Sequence, residues 1–249
     1  LRFFIELAYN GKAYHGWQNQ PNAVSVQQVL EHALSKLLQE KISIMGAGRT
    51  DAGVHASQMF AHFDIEKAFD IATLLFKLNS FLPNDIAVYD IFQVKDTAHT
   101  RFNAISRTYQ YKIALKKNPF LYDYAYHIFF PLDVEKMNAA CQILLQYNNF
   151  QCFSKTNTDV KTYHCSIKEA VWELNEDELV FTITADRFLR NMVRAIVGTM
   201  VSIGLGKKQV DDLHHIIQSQ NRSEAGFSVP ANGLFLTKIV YPESIRITL

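Results

Sequence analysis

The 249-residue chain predicts an α+β fold of two similar halves, residues 1–104 and 105–249, each ordered β-α-β-β-α-β. Three observations carry this reading. Apolar runs of period two mark strands, and capped segments with apolar residues three and four apart mark helices. The order of these elements then recurs in the second half, although no repeat of the sequence itself is visible. Two antiparallel or mixed sheets of this kind, side by side, would make a central cleft.

In the first half, Phe3, Ile5 and Leu7 alternate with Phe4 and Glu6, a half-buried strand that stops at the Asn10-Gly11 turn. Tyr14, His15 and Trp17 follow as a polar-aromatic cluster. Ser25 with Gln28 forms a capping box, and Val26, Val29, Leu30, Ala33, Leu34 and Leu37 share one helix face that ends near Glu40. Strands are expected over 42–45 and 58–65. Asp70 caps a helix carrying Ile71, Leu74, Leu75 and Leu78, and 86–94 is a strand after Pro83-Asn84-Asp85. This is the split-βαβ, or ferredoxin-like, plan.

The second half opens with the alternation TYQYKIAL within 106–115. Asp133 caps a helix with Met137, Ala140, Cys141 and Leu144 on its apolar face. Strands over 165–174 and 178–187 meet at the Asn175-Glu176-Asp177 hairpin. An apolar helix is expected over 188–203, a further helix after Lys207-Lys208, and a closing strand over 234–241.

Composition narrows the function classes. The mass of 28.5 kDa and 48% hydrophobic residues suffice for real cores. With 25 basic and 24 acidic residues the net charge is +1, so a polyanion would have to be met by a local basic surface. Cys141, Cys152 and Cys165 are odd in number and lack CxxC spacing, which points to a reducing compartment and small core residues. The apolar run in LRFFIELAYNG is too short for a signal peptide or a membrane span. A cytoplasmic protein with no membrane partner is expected.

The stretch GAGRTDAGVHA, Gly46 to Ala56, holds Arg49 and Asp51 in a glycine-rich polar loop after an apolar run. It reads either as a structural turn, with Gly53 at positive φ and Arg49 in a solvated ion pair, or as a site. Arg187, Arg190 and Arg194, spaced by three and four, fall on one face of the helix after Phe188 or at its mouth. That helix is otherwise apolar, and a buried arginine needs a carboxylate or a phosphate; Asp51 is a candidate.

Further basic residues, among them Arg101, Arg107, Lys112, Lys155 and Arg222, interleave with Phe102, Tyr109, Tyr111 and Tyr163. Basic side chains beside aromatic platforms suit looped or single-stranded RNA. Tyr111 itself reads as a core residue. His55 and His62 lack further ligands at metal spacing and read as structural or solvent-facing. No P-loop, dinucleotide fingerprint or nucleophile elbow occurs in the sequence, so no cofactor and no metal are expected.

The motif GAGRTDAGVHA resembles the signature of the bacterial tRNA pseudouridine synthase A family. The likeness extends along most of the chain through YNGKAYHGWQNQP, SVQQVLEHAL, LPNDIAV, HTRFNAISRTYQY and FLRNMVRAIVG. Around Lys155 to Ser166 the chain reads KTNTDVKTYHCS, where some members carry an arginine-containing segment. The resemblance implies that Asp51 is the catalytic aspartate, that Tyr109 stacks on the target uracil, that Arg194 pairs with the aspartate, and that Arg49 helps to extrude the base. Arg101, Arg107 and Arg190 are expected to bind substrate. It further implies a homodimer that acts without cofactor on the anticodon arm of tRNA, at positions 38 to 40.

That activity suits the residues. Isomerising uridine breaks the N1–C1′ bond, rotates the uracil and rejoins it through C5, with no net redox change. One ionised carboxylate can serve, by adding at C1′ or by taking the 2′ proton. An arginine opposite would keep it ionised and fix its rotamer. The base must leave its stack, which explains an aromatic floor and a loop arginine to fill the vacancy. Two rivals remain: a hydrolytic N-glycosidase, which usually needs a second carboxylate absent from the loop, and a non-catalytic ferredoxin-like RNA-binding module.

Overall fold

The structure is a computed structural model that describes residues 1–156 and 160–247. Residues 157–159, within the divergent KTNTDVKTYHCS stretch, lie outside the described residues. The fold is mixed α+β. In chain order the described residues form β1 (Arg2–Tyr9), α1 (Val26–Leu38), β2 (Met45–Gly46), β3 (His55–Asp64), α2 (Ile71–Phe81), β4 (Ile86–Val94) and β5 (Ser106–Ala114). These are followed by β6 (Tyr126–His127), α3 (Val134–Leu144), β7 (Ile167–Asn175), β8 (Glu178–Ala185), α4 (Met192–Gly204), α5 (Asp212–Ser219) and β9 (Leu234–Val240). The chain divides into two compact units, Leu1–Ile105 with Leu236–Leu249, and Ser106–Phe235.

In the first unit the strand order is β4-β1-β3, with β2 and the part of β9 from Leu236 both meeting β3. β1 runs antiparallel to both neighbours, placing Phe4 between His62 and Phe92. The central strand is more buried than its alternation predicts, because both faces are covered. Phe3 packs with Phe63 and Phe69, while on the other face Phe4, Phe60, Phe92 and Tyr241 form a cluster of rings. The predicted caps form: Ser25 accepts from the Gln28 N–H, and Asp70 from that of Thr73.

The strand expected over 42–45 shrinks to Met45–Gly46, because helix side chains take the backbone bonds upstream. Glu31 Oε1 accepts from the Ile44 N–H, Gln27 Nε2 donates to the Ile44 carbonyl, and Ser35 Oγ accepts from the Ile42 N–H. The chain end returns to this unit, where the Ile105 N–H donates to the Val240 carbonyl and the Ile247 N–H to that of Gln93.

In the second unit β5-β8-β7 are antiparallel, and the short β6 lies parallel beside β5. The hairpin at Asn175–Asp177 turns through Glu176 at φ 53°. Asp133 caps α3, and Met137, Ala140, Cys141 and Leu144 are all buried as predicted. α3 is pinned to β7 by a two-way amide contact, Asn138 Nδ2 donating to the Trp172 carbonyl and Asn138 Oδ1 accepting from the Trp172 N–H. Tyr111 is fully buried and donates to the Pro230 carbonyl, the core role expected of it. No helix among the described residues is long and apolar enough to cross a membrane.

Candidate active site

The Gly46–Ala56 loop links β2 to β3, and its shape is set by the segment that follows β1. Gly46 pairs with Ala61, and the Ala47 N–H donates to the Phe60 carbonyl. A Cβ at Gly46 would lie 2.3 Å from Trp17 Nε1, so the indole occupies the volume that glycine leaves. Gly16, at φ +88°, approaches the Thr50 carbonyl so closely that a Cβ there would sit 2.3 Å from it. The Trp17 N–H donates to that carbonyl, the Gly53 N–H donates to Tyr14, and the Val54 N–H closes a turn onto Asp51. Gly53 has φ +77°, the positive value expected of it.

Side chains secure the same loop. The hydroxyls of Tyr9 and Thr50 share a buried hydrogen bond of 2.8 Å. The Gly11 N–H donates to His55 Nδ1 at 3.0 Å, giving this buried histidine a structural role. Tyr14 donates to Asp85 Oδ1 at 2.6 Å, and burial together with that bond pushes its pKa well up, so it stays a donor. In this loop Asp51 is half-buried and Arg49 exposed, the two flanking the buried Thr50 in sequence.

A second anchor lies where the loop begins. The Thr100 hydroxyl donates to the Met45 carbonyl at 2.9 Å and lies 2.9 Å from His62 Nδ1, while Tyr241 donates to the Thr100 carbonyl at 2.6 Å. Burial, then the charge of Arg2, lowers the pKa of His62 to about 4. Beside this anchor Arg101 is exposed, with its guanidinium 5.5 Å from the Phe102 ring centroid.

The second unit gathers Arg107, Tyr109 and the corner after β8. Period two puts Arg107 and Tyr109 on the same face of β5 as buried Tyr111. Arg107 Nη1 donates to the Asp186 carbonyl at 2.7 Å, and the Tyr109 ring meets Phe188 edge-on at 5.2 Å. Asp186 Oδ1 accepts from the Ser166 and Arg187 N–H groups, fixing the corner.

The expected helix from Phe188 starts instead at Met192, because Asn191 is left-handed at φ 66° and breaks the helical run. Arg187 and Arg190 therefore sit at the helix mouth, and Arg194 stands in the first turn. Arg187 is half-buried with Nη1 donating to the Thr162 carbonyl, whereas Arg190 is exposed. Arg194 is half-buried and its Nε donates to the Val229 carbonyl at 2.7 Å.

No pattern named above points to the segment that holds Arg194, the run through Phe227 to Val229. A Cβ at Gly198 would lie 1.8 Å from the Phe227 carbonyl oxygen and one at Gly226 2.5 Å from the Thr199 nitrogen, so two glycines let this segment lie flat on α4. Arg222 donates to the Gly226 carbonyl and to Ser228 Oγ, bracing the same turn. Glycine inside the helical run MVRAIVGTM was the available signal.

The profile of a family described as tRNA pseudouridine synthase matches residues 7–103 and 140–242. The chain belongs to this family. It is 54% identical to a tRNA pseudouridine synthase A of Bacteroides fragilis over 98% of both chains. It is 53% identical to one of Bacteroides thetaiotaomicron, over 98% of this chain and 92% of that protein, and 41% identical to one of a Thermoanaerobacter species, over 95% and 98%. Within the pseudouridine synthase match fall the Gly46–Ala56 loop, Arg101, Arg190 and Arg194; Arg107 and Tyr109 lie in the stretch between its two matched segments.

Proposed function

We propose that this chain is a tRNA pseudouridine synthase that acts on the anticodon arm, at positions 38–40, as a cytoplasmic homodimer. It isomerises uridine to pseudouridine in tRNA; full-length identity to proteins of that name carries this reading. Asp51 is the catalytic carboxylate, Arg194 its basic partner, Tyr109 the ring that stacks on the target uracil, and Arg49 the side chain that displaces it. Arg101, Arg107 and Arg190 bind the RNA. Each of the two halves follows the ferredoxin-like plan, the first bearing the aspartate loop and the second the tyrosine and arginine partners.

The observation that supports Asp51 is the rigidity of its loop. Backbone bonds from Trp17 and Gly53, a buried hydroxyl pair and two close glycine contacts hold a carboxylate that is itself half-buried. Such preorganisation suits a carboxylate that must approach the ribose at one angle, whether to add at C1′ or to take the 2′ proton. The nucleotide leaves its stack to reach that carboxylate, does its chemistry there and returns as the C-glycoside.

The test is tritium release from C5-labelled uridine in a tRNA transcript. Asp51→Ala and Asp51→Asn should abolish release while keeping tRNA affinity within about tenfold, roughly 1.4 kcal/mol. Turnover near the unsubstituted rate would remove Asp51 from its role. Free uracil among the products would favour glycosidic hydrolysis.

A further inference from the structure

The five residues His99 to Asn103 form a loop held far more tightly than its exposure requires. The His99 N–H donates to Asn103 Oδ1 at 2.7 Å, the Asn103 N–H returns to the His99 carbonyl at 3.0 Å, and the Arg101 N–H donates to His99 Nδ1 at 3.1 Å. Buried Thr100 at its centre is tied to Met45, His62 and Tyr241. At the tip of this fixed loop stands Phe102, with 73% of its surface open to solvent.

A phenyl ring that far exposed gains little from folding, so the core explains the position of Thr100 but not the choice of Phe102 at the tip. The ring is backed: His99 lies under it at 4.3 Å and 38°, and His62 supports His99 edge-on at 4.6 Å. Arg101 contributes a guanidinium 5.5 Å from the ring centre, within the span of one nucleotide. Burial and the neighbouring Arg2 lower the pKa of both histidines, so the stack favours a neutral aromatic surface with the Arg101 cation beside it.

We propose that Phe102, backed by His99 and flanked by Arg101, is a stacking platform for an unpaired nucleobase of the RNA substrate, other than the uracil that is isomerised. Aromatic ring and guanidinium together match a base and its phosphate, and a ring carried on a hydrogen-bonded loop costs less ordering when a base lies on it. Because Thr100 is bonded to Met45, the residue before the Gly46–Ala56 loop, a nucleotide on the platform is registered against the loop that presents Asp51. The proposal rests on the reading of the chain as a tRNA-modifying enzyme.

The test measures affinity for an unmodified tRNA transcript in an Asp51→Asn background, with Phe102 changed to Ala, Leu or Trp. Phe102→Ala and Phe102→Leu should each weaken binding about five- to hundredfold, while Phe102→Trp keeps it and its fluorescence is quenched by the transcript. Transcripts with single abasic nucleotides should then show one unpaired position whose loss costs the unsubstituted ring that same factor and costs Phe102→Ala nothing. Full affinity in Phe102→Leu would show an apolar contact and overturn stacking, as would an abasic penalty that persists in Phe102→Ala. Absence of pseudouridine from the unsubstituted enzyme's product would sink the activity itself. Normal product with unchanged affinity in Phe102→Ala would sink the platform alone.

Discussion

The hydroxyl of Tyr9 and the hydroxyl of Thr50 lie 2.8 Å apart in the core, tying the end of the central strand β1 to the residue just before Asp51. Thr50 is 9% exposed and Tyr9 4%, so the bond is shielded from bulk solvent. Tyr9→Phe should cost about 1–2 kcal/mol of stability by leaving the Thr50 hydroxyl without this bond. If the bond also sets the angle of Asp51, kcat for tritium release falls while KM for tRNA holds. Thr50→Ser keeps the hydroxyl and should keep the rate. An unchanged kcat in Tyr9→Phe would assign the bond to stability only.

The loop glycines separate by the space around them. Gly46→Ala forces a methyl into the Trp17 indole and should destabilise the protein by about 1–3 kcal/mol, read as a lower denaturation midpoint. Gly48 has open space where its Cβ would stand, and Gly48→Ala should leave the midpoint where it is. Equal effects at the two positions would contradict the packing described for Trp17.

His62 makes stability depend on pH in a defined direction. Its folded pKa of about 4 lies below the ordinary 6.5, so the unfolded chain binds the extra proton between those values. Stability is therefore whole above about pH 6.5 and lost as pH falls towards 4. Arg2, His99 and Asp64 are the charged or titratable groups that act on it, and His99 shifts in the same direction. The thermal midpoint should drop across this window, and His62→Asn, whose amide offers Thr100 both a donor and an acceptor, should flatten the drop. A slope unchanged by His62→Asn would place the titration elsewhere.

Arg190 and Arg194 should part company in the assay, although the sequence puts them one helical turn apart. Arg190 is exposed at the mouth of α4, and Arg190→Ala should weaken tRNA binding and lower the salt slope by about one, with kcat retained. Arg194 is held by the Val229 carbonyl, and Arg194→Ala should remove turnover instead. Lysine keeps the charge but not the Nε donor, so Arg194→Lys should restore little. Loss of turnover in both alanine variants would argue for a joint role.

Much of the site was legible because local rules govern it. The run GAGRTDAGVHA announces a close-packed turn bearing a carboxylate and a guanidinium, and Gly53 does adopt the positive φ that its position implies. The helix expected from Phe188 begins only at Met192, because apolar residues continue through Leu189 and periodicity does not register one left-handed residue, Asn191. The strand expected over 42–45 starts only at Met45 for a related reason: alternation of Ile42 and Ile44 shows which side is buried, not which partner takes the backbone bonds.

The caps at Ser25, Asp70 and Asp133, the period-two strands and the loop that carries Asp51 follow from the order of residues alone. These depend on groups within a few residues of one another, whose geometry is set by the backbone. That Trp17 fills the space beside Gly46, that Tyr9 holds Thr50, and that Thr100 grips Met45 below the exposed Phe102 emerges only from the folded chain. Those contacts join residues tens of positions apart, and their pairing follows from which strands lie side by side. No local pattern encodes that choice: burial rewards any well-packed partner, and the register of β1 against β3 selects the one that is used.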